Sequence, residues 1–201
     1  MLTDFVKNRP LILVVTGLPC TGKTTLGKYL AGQISLPFIH KDGIKETLFD
    51  SLGWEDRAWS RKLGAATYDL LYYFVETLMS AEVSMIVESN FQAELAGPVL
   101  GGLTEKYEYS CVQVLCKAEG RILVQRFRER AESGERHSGH VDATNYDEME
   151  PQLRRGRIEQ LQLTGPLIEI DTSDFDVLNW EEILQTVRQA ITGSNESQKH
   201  P

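Results

Sequence analysis

An eight-residue motif near the start of the chain has the spacing of a phosphate-binding loop. Gly17-Leu18-Pro19-Cys20-Thr21-Gly22-Lys23-Thr24 matches G-x-x-x-x-G-K-[ST] and lies between an apolar strand-like run and a helix-like segment. Glycines let the backbone curl so that its N–H groups point at a phosphate, and the helix N-terminus adds partial positive charge. The lysine can reach the β- and γ-phosphates, and the last hydroxyl can ligate Mg²⁺. The motif predicts that a nucleoside triphosphate is bound by Gly17, Leu18, Pro19, Cys20, Thr21, Gly22, Lys23, Thr24 and Thr25, with Thr24 on Mg²⁺.

Two carboxylates at the ends of predicted strands are candidates for binding or deprotonating the molecule that accepts the phosphoryl group, or for holding Mg²⁺. Asp42 follows the second strand, where a carboxylate can accept the proton of a substrate hydroxyl or help to hold Mg²⁺. Its alternative role is the N-cap of the next helix. Glu88 ends the third strand and can hold Mg²⁺ through water or bind substrate hydroxyls, or it makes a structural hydrogen bond to the phosphate loop. Lys45, one turn further on, is a candidate contact for an anionic substrate, with a solvated helix position as its alternative. Asn90 is another candidate substrate contact.

Three arginines are candidates for stabilising a transferred phosphoryl group. Arg126 and Arg130 lie four residues apart on one face of a predicted helix, and Arg136 lies in the polar segment that follows. Guanidinium groups delivered by a closing flap would bind the charge spread over the phosphoryl oxygens and exclude water. The alternative is a solvated helix whose arginines pair with glutamates at helical spacing, namely Glu129, Glu132 and Glu135.

Two histidines in the same polar segment raise the question of a metal site. His137 and His140 are separated by a Ser-Gly pair, and no cysteine pair lies nearby. This is a poor zinc signature, because structural zinc sites usually combine four closely spaced Cys and His ligands. The remaining interpretations are a substrate contact made by the flap and ordinary loop residues.

Strand-like and helix-like segments alternate along the chain, which predicts an α/β protein with one parallel sheet and helices on both of its faces. In such a sheet ligands bind at the carboxyl ends of the strands, where the residues named above fall. The predicted strands are 10–16, 37–40, 84–87, 109–116 and 167–170. The predicted helices are 24–33, 43–52, 65–81, 93–107, 121–132, 151–163 and 180–191.

Length and composition indicate one domain in a reducing compartment. With 201 residues and a net charge of −8, we expect a single domain over 1–193, a lid insert at about 131–150 and a flexible tail at 194–201. The acidic balance argues against general binding to nucleic acid or to an anionic membrane surface. Three cysteines make a disulfide framework improbable, so the expected location is the cytoplasm. A monomer and a homodimer both remain open.

Several classes of phosphate-loop protein lack support. No N-K-x-D motif is present to read guanine, so the sequence does not indicate a GTPase. The third strand ends in a single glutamate and the chain is short, which does not favour a motor ATPase. The net charge of −8, without an aromatic and basic groove, disfavours a polynucleotide 5′-kinase. A nucleotide-dependent regulatory ATPase without an acceptor stays open as the alternative to a small-molecule kinase.

An ordered set of motifs resembles a known group of proteins. After the phosphate loop come H-K-D-x-I-K-E-T-L-F-D-x-L-G, I-V-E-S-N-F, R-F-x-x-R with R-H-S-G-H-V-D, and I-D-T-S, over about residues 10 to 190. The set is similar to bacterial ATP-binding predicted kinases related to zeta toxin, chloramphenicol phosphotransferase, gluconate kinase and polynucleotide 5′-kinase domains. The resemblance implies a nucleoside-kinase-like sheet of order 2-3-1-4-5 with a mobile lid. It implies ATP and a small-molecule hydroxyl as the substrates.

The resemblance also assigns roles to individual residues. Asp42 matches the carboxylate that activates the acceptor hydroxyl, and Arg126 matches a residue that packs on the adenine. Arg130 and Arg136 match lid arginines at the phosphates. The loop that borders the adenine is matched by Asp171, Thr172 and Ser173. The sequence therefore predicts an ATP-dependent kinase that transfers the γ-phosphoryl group to a hydroxyl of an unidentified small molecule.

Two positions depart from the group's pattern. Cys20 stands where Gly or Ala is common, which predicts a phosphate loop sensitive to thiol reagents. Ser138 replaces the Pro of the usual H-P-G-H flap turn, which leaves the rigidity of that turn in question.

Overall fold

Five parallel strands form the sheet of the computed structural model, which describes residues 9–134, 136–142 and 145–196. In chain order they are β1 (Leu11–Gly17), β2 (Phe38–His40), β3 (Met85–Ser89), β4 (Ser110–Lys117) and β5 (Leu167–Asp171). Their order across the sheet is β2-β3-β1-β4-β5, and all four pairings are parallel. The predicted fold class and the strand order 2-3-1-4-5 are therefore confirmed.

Seven α-helices accompany these strands in the described part of the chain. They are α1 (Lys23–Ile34), α2 (Lys41–Leu52), α3 (Arg57–Ser80), α4 (Ala93–Lys106), α5 (Gly120–Ser133), α6 (Tyr146–Leu153) and α7 (Trp180–Glu196). A 3₁₀ turn, Ser138–His140, lies between α5 and α6. Within these helices no stretch combines the length and the apolar character needed to cross a membrane.

The central strand β1 divides the core into two halves. All of its residues are buried, and alternate side chains face opposite sides of the sheet, as the two-residue period of a strand requires. Leu13 and Val15 pack with residues of α1 and α7, whereas Ile12 and Val14 pack with residues of α3 and α4. The three layers leave the carboxyl ends of the strands at one edge, where the predicted site residues lie.

The chain between α5 and β5 differs from the sequence prediction. The predicted helix at 151–163 is wrong, because α6 occupies Tyr146–Leu153 and the chain then turns at Gly156, whose φ is +74°. The segment after the turn runs without helix to β5 and buries Leu161 against the sheet. At the other end, α7 continues to Glu196, so the predicted tail boundary at 194 falls inside it. Residues 197–201 of that tail lie outside the described residues.

A buried amide holds this irregular segment. The Gln113 side chain on β4 donates from Nε2 to the Leu161 carbonyl oxygen at 3.0 Å and accepts from the Leu161 N–H at 3.1 Å. We expect Gln113→Leu to lower the free energy of unfolding by about 2–4 kcal/mol, because two buried backbone groups lose their partners. Urea unfolding measures this. The exposed control Gln185→Leu on α7 should stay within about 0.5 kcal/mol. Equal stability of the two variants would refute this structural role.

Candidate active site

The phosphate loop joins β1 to α1 and is curled tightly. Cys20 and Gly22 lie in the left-handed region, with φ of 67° and 72°. The Thr21 hydroxyl donates to the Leu18 carbonyl oxygen at 2.8 Å and closes the curl. Gly22 is the N-cap of α1 and supplies no side-chain hydrogen bond, so the first backbone amides of the helix are left for a ligand. This geometry is that of an anion cradle at a helix N-terminus.

The surroundings of Cys20 favour the neutral thiol. Burial raises the pKa of its thiol, and this outweighs the opposite effect of the nearby Arg130 and Lys23. The thiolate is the reactive form of cysteine, so a raised pKa disfavours the predicted sensitivity to thiol reagents. The other thiols, Cys111 and Cys116, are buried, and burial raises the pKa of each to about 12.

The end of β3 contacts the phosphate loop directly. Thr24 Oγ1 donates to Glu88 Oε2 at 2.6 Å, and Lys23 Nζ lies 4.0 Å from Glu88 Oε1. Glu88 is 3% exposed. The structural hydrogen bond that was one interpretation of Glu88 is thus present. A hydroxyl and a carboxylate side by side are also the hard oxygen ligands that Mg²⁺ prefers, so this pair fits the predicted metal role.

Asp42 is an ion-paired carboxylate and does not cap its helix. The N-cap of α2 is His40, whose Nδ1 accepts from the Gly43 N–H at 3.0 Å, so the N-cap interpretation of Asp42 is wrong. Arg136 Nη2 donates to Asp42 Oδ2 at 2.9 Å, and Lys41 Nζ lies 3.7 Å from Oδ1. Burial alone would raise the pKa of Asp42, but these two cations hold it well below its usual range. Asp42 is therefore ionised at neutral pH.

The predicted arginines fall into two groups. Arg130 and Arg136 converge on the carboxylate of Asp142, at 3.0 Å from Nη2 and 2.8 Å from Nε respectively, measured to Oδ2. Arg126 instead donates from Nη2 to the Ser173 carbonyl oxygen at 2.9 Å. None of these contacts is to Glu129 or Glu132, and Glu135 lies outside the described residues.

The loop after β5 borders the phosphate loop. Thr172 is buried, and its hydroxyl is 2.8 Å from the Thr21 carbonyl oxygen and 3.0 Å from that of Lys117. Asp171 Oδ1 accepts from the N–H of Ser173 at 2.9 Å and from its hydroxyl at 2.6 Å. The predicted segment Asp171, Thr172 and Ser173 is therefore brought beside the nucleotide motif.

Sequence reasoning missed an aromatic residue in this loop. The Phe175 ring lies against Gly22 and stacks under the Arg126 guanidinium, 4.7 Å from its central carbon. The available signal was an aromatic residue two positions after I-D-T-S, which a single sequence does not distinguish from a packing residue. A planar pair of this kind offers a face to a nucleobase.

Two cavities meet at the carboxyl ends of the strands. The larger, about 440 Å³, is lined by the phosphate loop, Arg126 and Phe175. The smaller, about 160 Å³, is lined by the ends of β3 and α2, with Asn90 and Lys45 on its wall. Four side chains line both cavities, namely Lys23, Asp42, Arg130 and Arg136. The structure thus places the predicted catalytic set on the boundary between the nucleotide motif and a second, smaller pocket.

The smaller cavity contains cations that the sequence did not single out. Lys41 and Arg57 line it together with the predicted Lys45. Lys45 is 5% exposed and donates to Ser60 Oγ at 2.9 Å, so its interpretation as a solvated helix residue is wrong. Asn90 Oδ1 accepts from the Ser89 hydroxyl at 3.4 Å, at the end of β3.

The 3₁₀ turn Ser138–His140 and its N-cap His137, called the histidine turn below, dock on α2. His140 Nδ1 lies 3.0 Å from Arg136 Nη2, and its Nε2 lies 2.9 Å from Glu46 Oε1. Burial, followed by Arg136, lowers the pKa of His140 to about 3, so the neutral ring accepts from Arg136 and donates to Glu46. His137 stacks on Phe49 with ring centroids 5.1 Å apart. In the described ranges no group of three or more His, Cys, Asp or Glu side chains could hold a metal ion.

Close packing at Gly139 makes this docking testable. A Cβ at Gly139 would lie 2.6 Å from the Phe49 ring, so we expect Gly139→Ala to push the turn away from α2. The predicted result is amide hydrogen exchange at least about 10-fold faster over residues 136–142, with about 1–3 kcal/mol less stability. Gly102→Ala is the control, because a Cβ there meets nothing within 4 Å. Unchanged exchange in the turn would refute the docking.

Comparisons with known proteins agree with this geometry. A family model described as an AAA domain matches residues 12–155. The crystal structure of a "putative kinase" from Chloroflexus aurantiacus J-10-fl is 36% identical, covers 94% of this chain and 99% of its own, and superposes with a TM-score of 0.83. A "putative adenylate kinase" from Thermococcus gammatolerans is 25% identical over 186 residues, which are 90% of this chain and 88% of the relative.

A more distant structure shares the fold. A gluconokinase from Sinorhizobium meliloti 1021 is 15% identical and has a TM-score of 0.52, with 96% of this chain and 99% of its own covered. The extent of the family match and the 36% identity of the Chloroflexus protein decide the classification. The chain belongs to the AAA domain family and, within it, to the nucleotide-binding P-loop kinases.

Proposed function

We propose that this protein is an ATP-dependent kinase that transfers the γ-phosphoryl group to a hydroxyl of a small molecule. The observation that carries the proposal is the position of Asp42, which lines both cavities beside Lys23 of the phosphate loop. A carboxylate on this boundary can face the acceptor oxygen from one side and the transferred group from the other. The larger cavity is the ATP site, and the smaller cavity is the acceptor site.

The nucleotide roles follow from the contacts. The loop amides and Lys23 bind the phosphates, and the backbone of Asp171–Ser173 borders the base. The Arg126 guanidinium already lies on the Phe175 ring, so an adenine would stack beside a preformed planar pair. This arrangement supports the adenine-packing role that the resemblance assigns to Arg126.

Thr24 and Glu88 would hold Mg²⁺, Glu88 through a water molecule. Their oxygens form a hard donor set at the phosphate loop, next to Lys23. When bound there, Mg²⁺ neutralises negative charge on the β- and γ-phosphates. Independently of the cation, the Thr24 hydroxyl fixes the position of Glu88 by its hydrogen bond, and the Lys23 ammonium lies close to the same carboxylate.

The transfer itself requires in-line attack of the acceptor oxygen on the γ-phosphorus. The new O–P bond forms as the bond between the γ-phosphorus and the bridging oxygen of ADP breaks. Asp42 orients the hydroxyl and accepts its proton, which becomes favourable as Arg136 leaves the carboxylate for the phosphoryl oxygens. Arg130 moves with it, because both guanidiniums form exchangeable ion pairs with aspartates. Arg136 also gives up its contact with His140 in this movement. The lid arginines thus couple closure over ATP to release of the base.

The composition of the chain supports a small-molecule acceptor and a cytoplasmic location. The net charge of −8 supports a small acceptor over a polynucleotide, and the three unpaired thiols support a reducing cytoplasm. The oligomeric state is not needed for the site, since one chain supplies every group named.

The test is direct detection of a phosphorylated acceptor. Purified protein is incubated with ATP, Mg²⁺ and a panel of sugars, sugar acids, nucleosides and aminoglycosides, and ADP release and product mass are measured. We expect at least one compound to raise ADP release about 10-fold or more above the acceptor-free rate, with a matching product 80 Da heavier, the mass of one phosphoryl group. Tight ATP binding with no stimulation by any compound would contradict the kinase and favour a nucleotide-dependent switch.

A further inference from the structure

The acceptor cavity has an excess of positive charge that its own carboxylates do not balance. The cations on its wall outnumber the carboxylates six to three: Lys23, Lys41, Lys45, Arg57, Arg130 and Arg136 against Asp42, Glu88 and Asp142. ATP accounts for the phosphate-loop lysine and the two lid arginines in the proposed function. Of the remaining cations, Arg57 is ion-paired with Glu148, which lies outside the cavity wall, and Lys41 lies 3.7 Å from Asp42. Lys45 is the third, and it faces the acceptor without such a partner among the described residues.

Lys45 is the informative member of this group. Its ammonium is buried and donates to Ser60 Oγ, a neutral partner, and lies 5.2 Å from the Phe49 ring centroid. Among the residues described, none forms an ion pair with Lys45. Burial, followed by the neighbouring Lys41, lowers its pKa to about 8. A buried ammonium without a carboxylate partner is costly, and an anion in the cavity would remove that cost.

The helix sets the distance between this cation and the catalytic carboxylate. Asp42 and Lys45 are three residues apart on α2, which places them on one face with a rise of about 4.5 Å. Lys41 lies one turn before Lys45 on the same face. An acceptor whose hydroxyl meets Asp42 would therefore present a second group to Lys45 roughly one helical turn away. The cavity of about 160 Å³ is well below the roughly 300–1,000 Å³ of drug-sized pockets, so the molecule is small.

We propose that the acceptor is a small hydroxyl compound that carries an anionic group, a carboxylate or a phosphate, and that Lys45 and Lys41 bind this group. The inference rests on the proposed function for the identity of the cavity as the acceptor site. It assigns specificity to α2, with Asp42 at the hydroxyl and Lys45 at the anion. Neutral sugars and nucleosides lack the group that would pair with Lys45.

The test compares related compounds with and without an anionic group. Glucose, gluconate and glucose 6-phosphate form one set, and glycerol, glycerate and glycerol 3-phosphate form another. Binding to the protein with Mg²⁺ and ADP is measured by calorimetry for the wild type, Lys45→Met and the control Lys62→Met. Lys62 is exposed on α3 and contacts the Trp59 ring. We expect an anionic member to bind at least about 10-fold tighter than its neutral counterpart. Lys45→Met should lose that preference and Lys62→Met should retain it.

A second readout separates ligand binding from a structural role. If the role of Lys45 is to bind the anionic group of the acceptor, Lys45→Met without ligand should melt at a higher temperature than the wild type without ligand. The reason is that the substitution removes a buried unpaired charge. If Lys45 serves the fold through Ser60, the variant should melt lower, and the inference fails. It also fails if no anionic compound binds better than its neutral counterpart, or if Lys45→Met keeps the preference. The carboxylate and phosphate members show which anion is recognised.

The same samples distinguish this inference from the proposed function. Replacing ADP by ATP and following phosphorylated product tests the kinase activity. Charge-dependent binding without any product would leave the anion site standing and overturn the kinase. Product formed equally well from neutral and anionic compounds would leave the kinase standing and overturn the anion site.

Discussion

Asp42→Asn is expected to lower kcat with a responsive acceptor by about 10²- to 10⁴-fold, while the KM for ATP changes by no more than about threefold. The substitution keeps the shape of the side chain but removes the negative charge that accepts the acceptor proton. Asp42 lines both cavities and is ion-paired with Arg136, so in the proposed function this charge lies between donor and acceptor. Coupled ADP release against acceptor and ATP concentration gives both constants.

The low pKa of Asp42 adds a pH dependence to this prediction. Its folded-state pKa is held below the unfolded value, so its contribution to stability is fully present above that unfolded value, about 4. It is lost only as the pH falls further, toward the folded pKa. The wild-type kcat/KM, which reports the free enzyme, should therefore show no acidic limb from Asp42 between pH 5 and 8. An acidic limb in this range that disappears in Asp42→Asn would show that Asp42 becomes protonated there, which would contradict its low pKa.

The control for Asp42→Asn is the same change at an exposed aspartate. Asp69 lies on the solvent side of α3, and Asp69→Asn should match the wild type in rate and melting temperature. Thermal melting of Asp42→Asn in the presence of ATP establishes that the variant is folded. A folded Asp42→Asn protein with kcat within threefold of the wild type would remove Asp42 from catalysis.

Gly22→Ala is expected to weaken ATP binding by about 100-fold or more. Gly22 has a φ of +72°, where an L-residue costs about 1–2 kcal/mol, and a Cβ there would overlap the Phe175 ring. Relief of that overlap moves either the phosphate loop or the aromatic residue beside it, at a further cost of about 1–3 kcal/mol. Each 1.4 kcal/mol corresponds to about a tenfold loss of affinity. Calorimetric titration with Mg²⁺ and ATP measures the effect.

A matched glycine on the same helix supplies the comparison. A Cβ at Gly32 on α1 meets nothing within 4 Å, so Gly32→Ala should leave ATP affinity unchanged. It should also raise stability by about 0.5–1 kcal/mol, the usual difference in helix propensity. ATP affinity of Gly22→Ala within threefold of that of Gly32→Ala would show that Phe175 and the loop conformation are not needed for nucleotide binding.

The sheet and the phosphate loop could be predicted because their signals are local. The run Leu11–Val15 is apolar at every position, which fits a strand buried on both faces, and the loop motif follows it at once. The same logic placed Asp42 and Glu88 at strand ends, where parallel strands bring them to one edge. Local patterns of this kind do not depend on what the rest of the chain does.

The remaining features depend on contacts between distant segments. The helix expected at 151–163 has a suitable composition, but the pairing of Leu161 with Gln113, 48 residues away, holds the chain in another conformation. Arg57 reaches the acceptor cavity from the start of α3, and Phe175 reaches the phosphate loop from beyond β5. Contacts between residues so far apart in the chain leave no periodicity or spacing in the sequence from which they could be predicted.

The docking of the histidine turn has an evolutionary consequence. The twelve residues of α2 carry Asp42 and Lys45 on the side of the acceptor cavity, and they also carry Glu46 and Phe49, on which the turn rests. If the proposed function and the anion site hold, choice of acceptor and closure of the lid are encoded in one short stretch of sequence, separate from the phosphate loop. Paralogues can diverge in substrate by changing this helix alone while they inherit the ATP site intact, provided that each change keeps the turn seated.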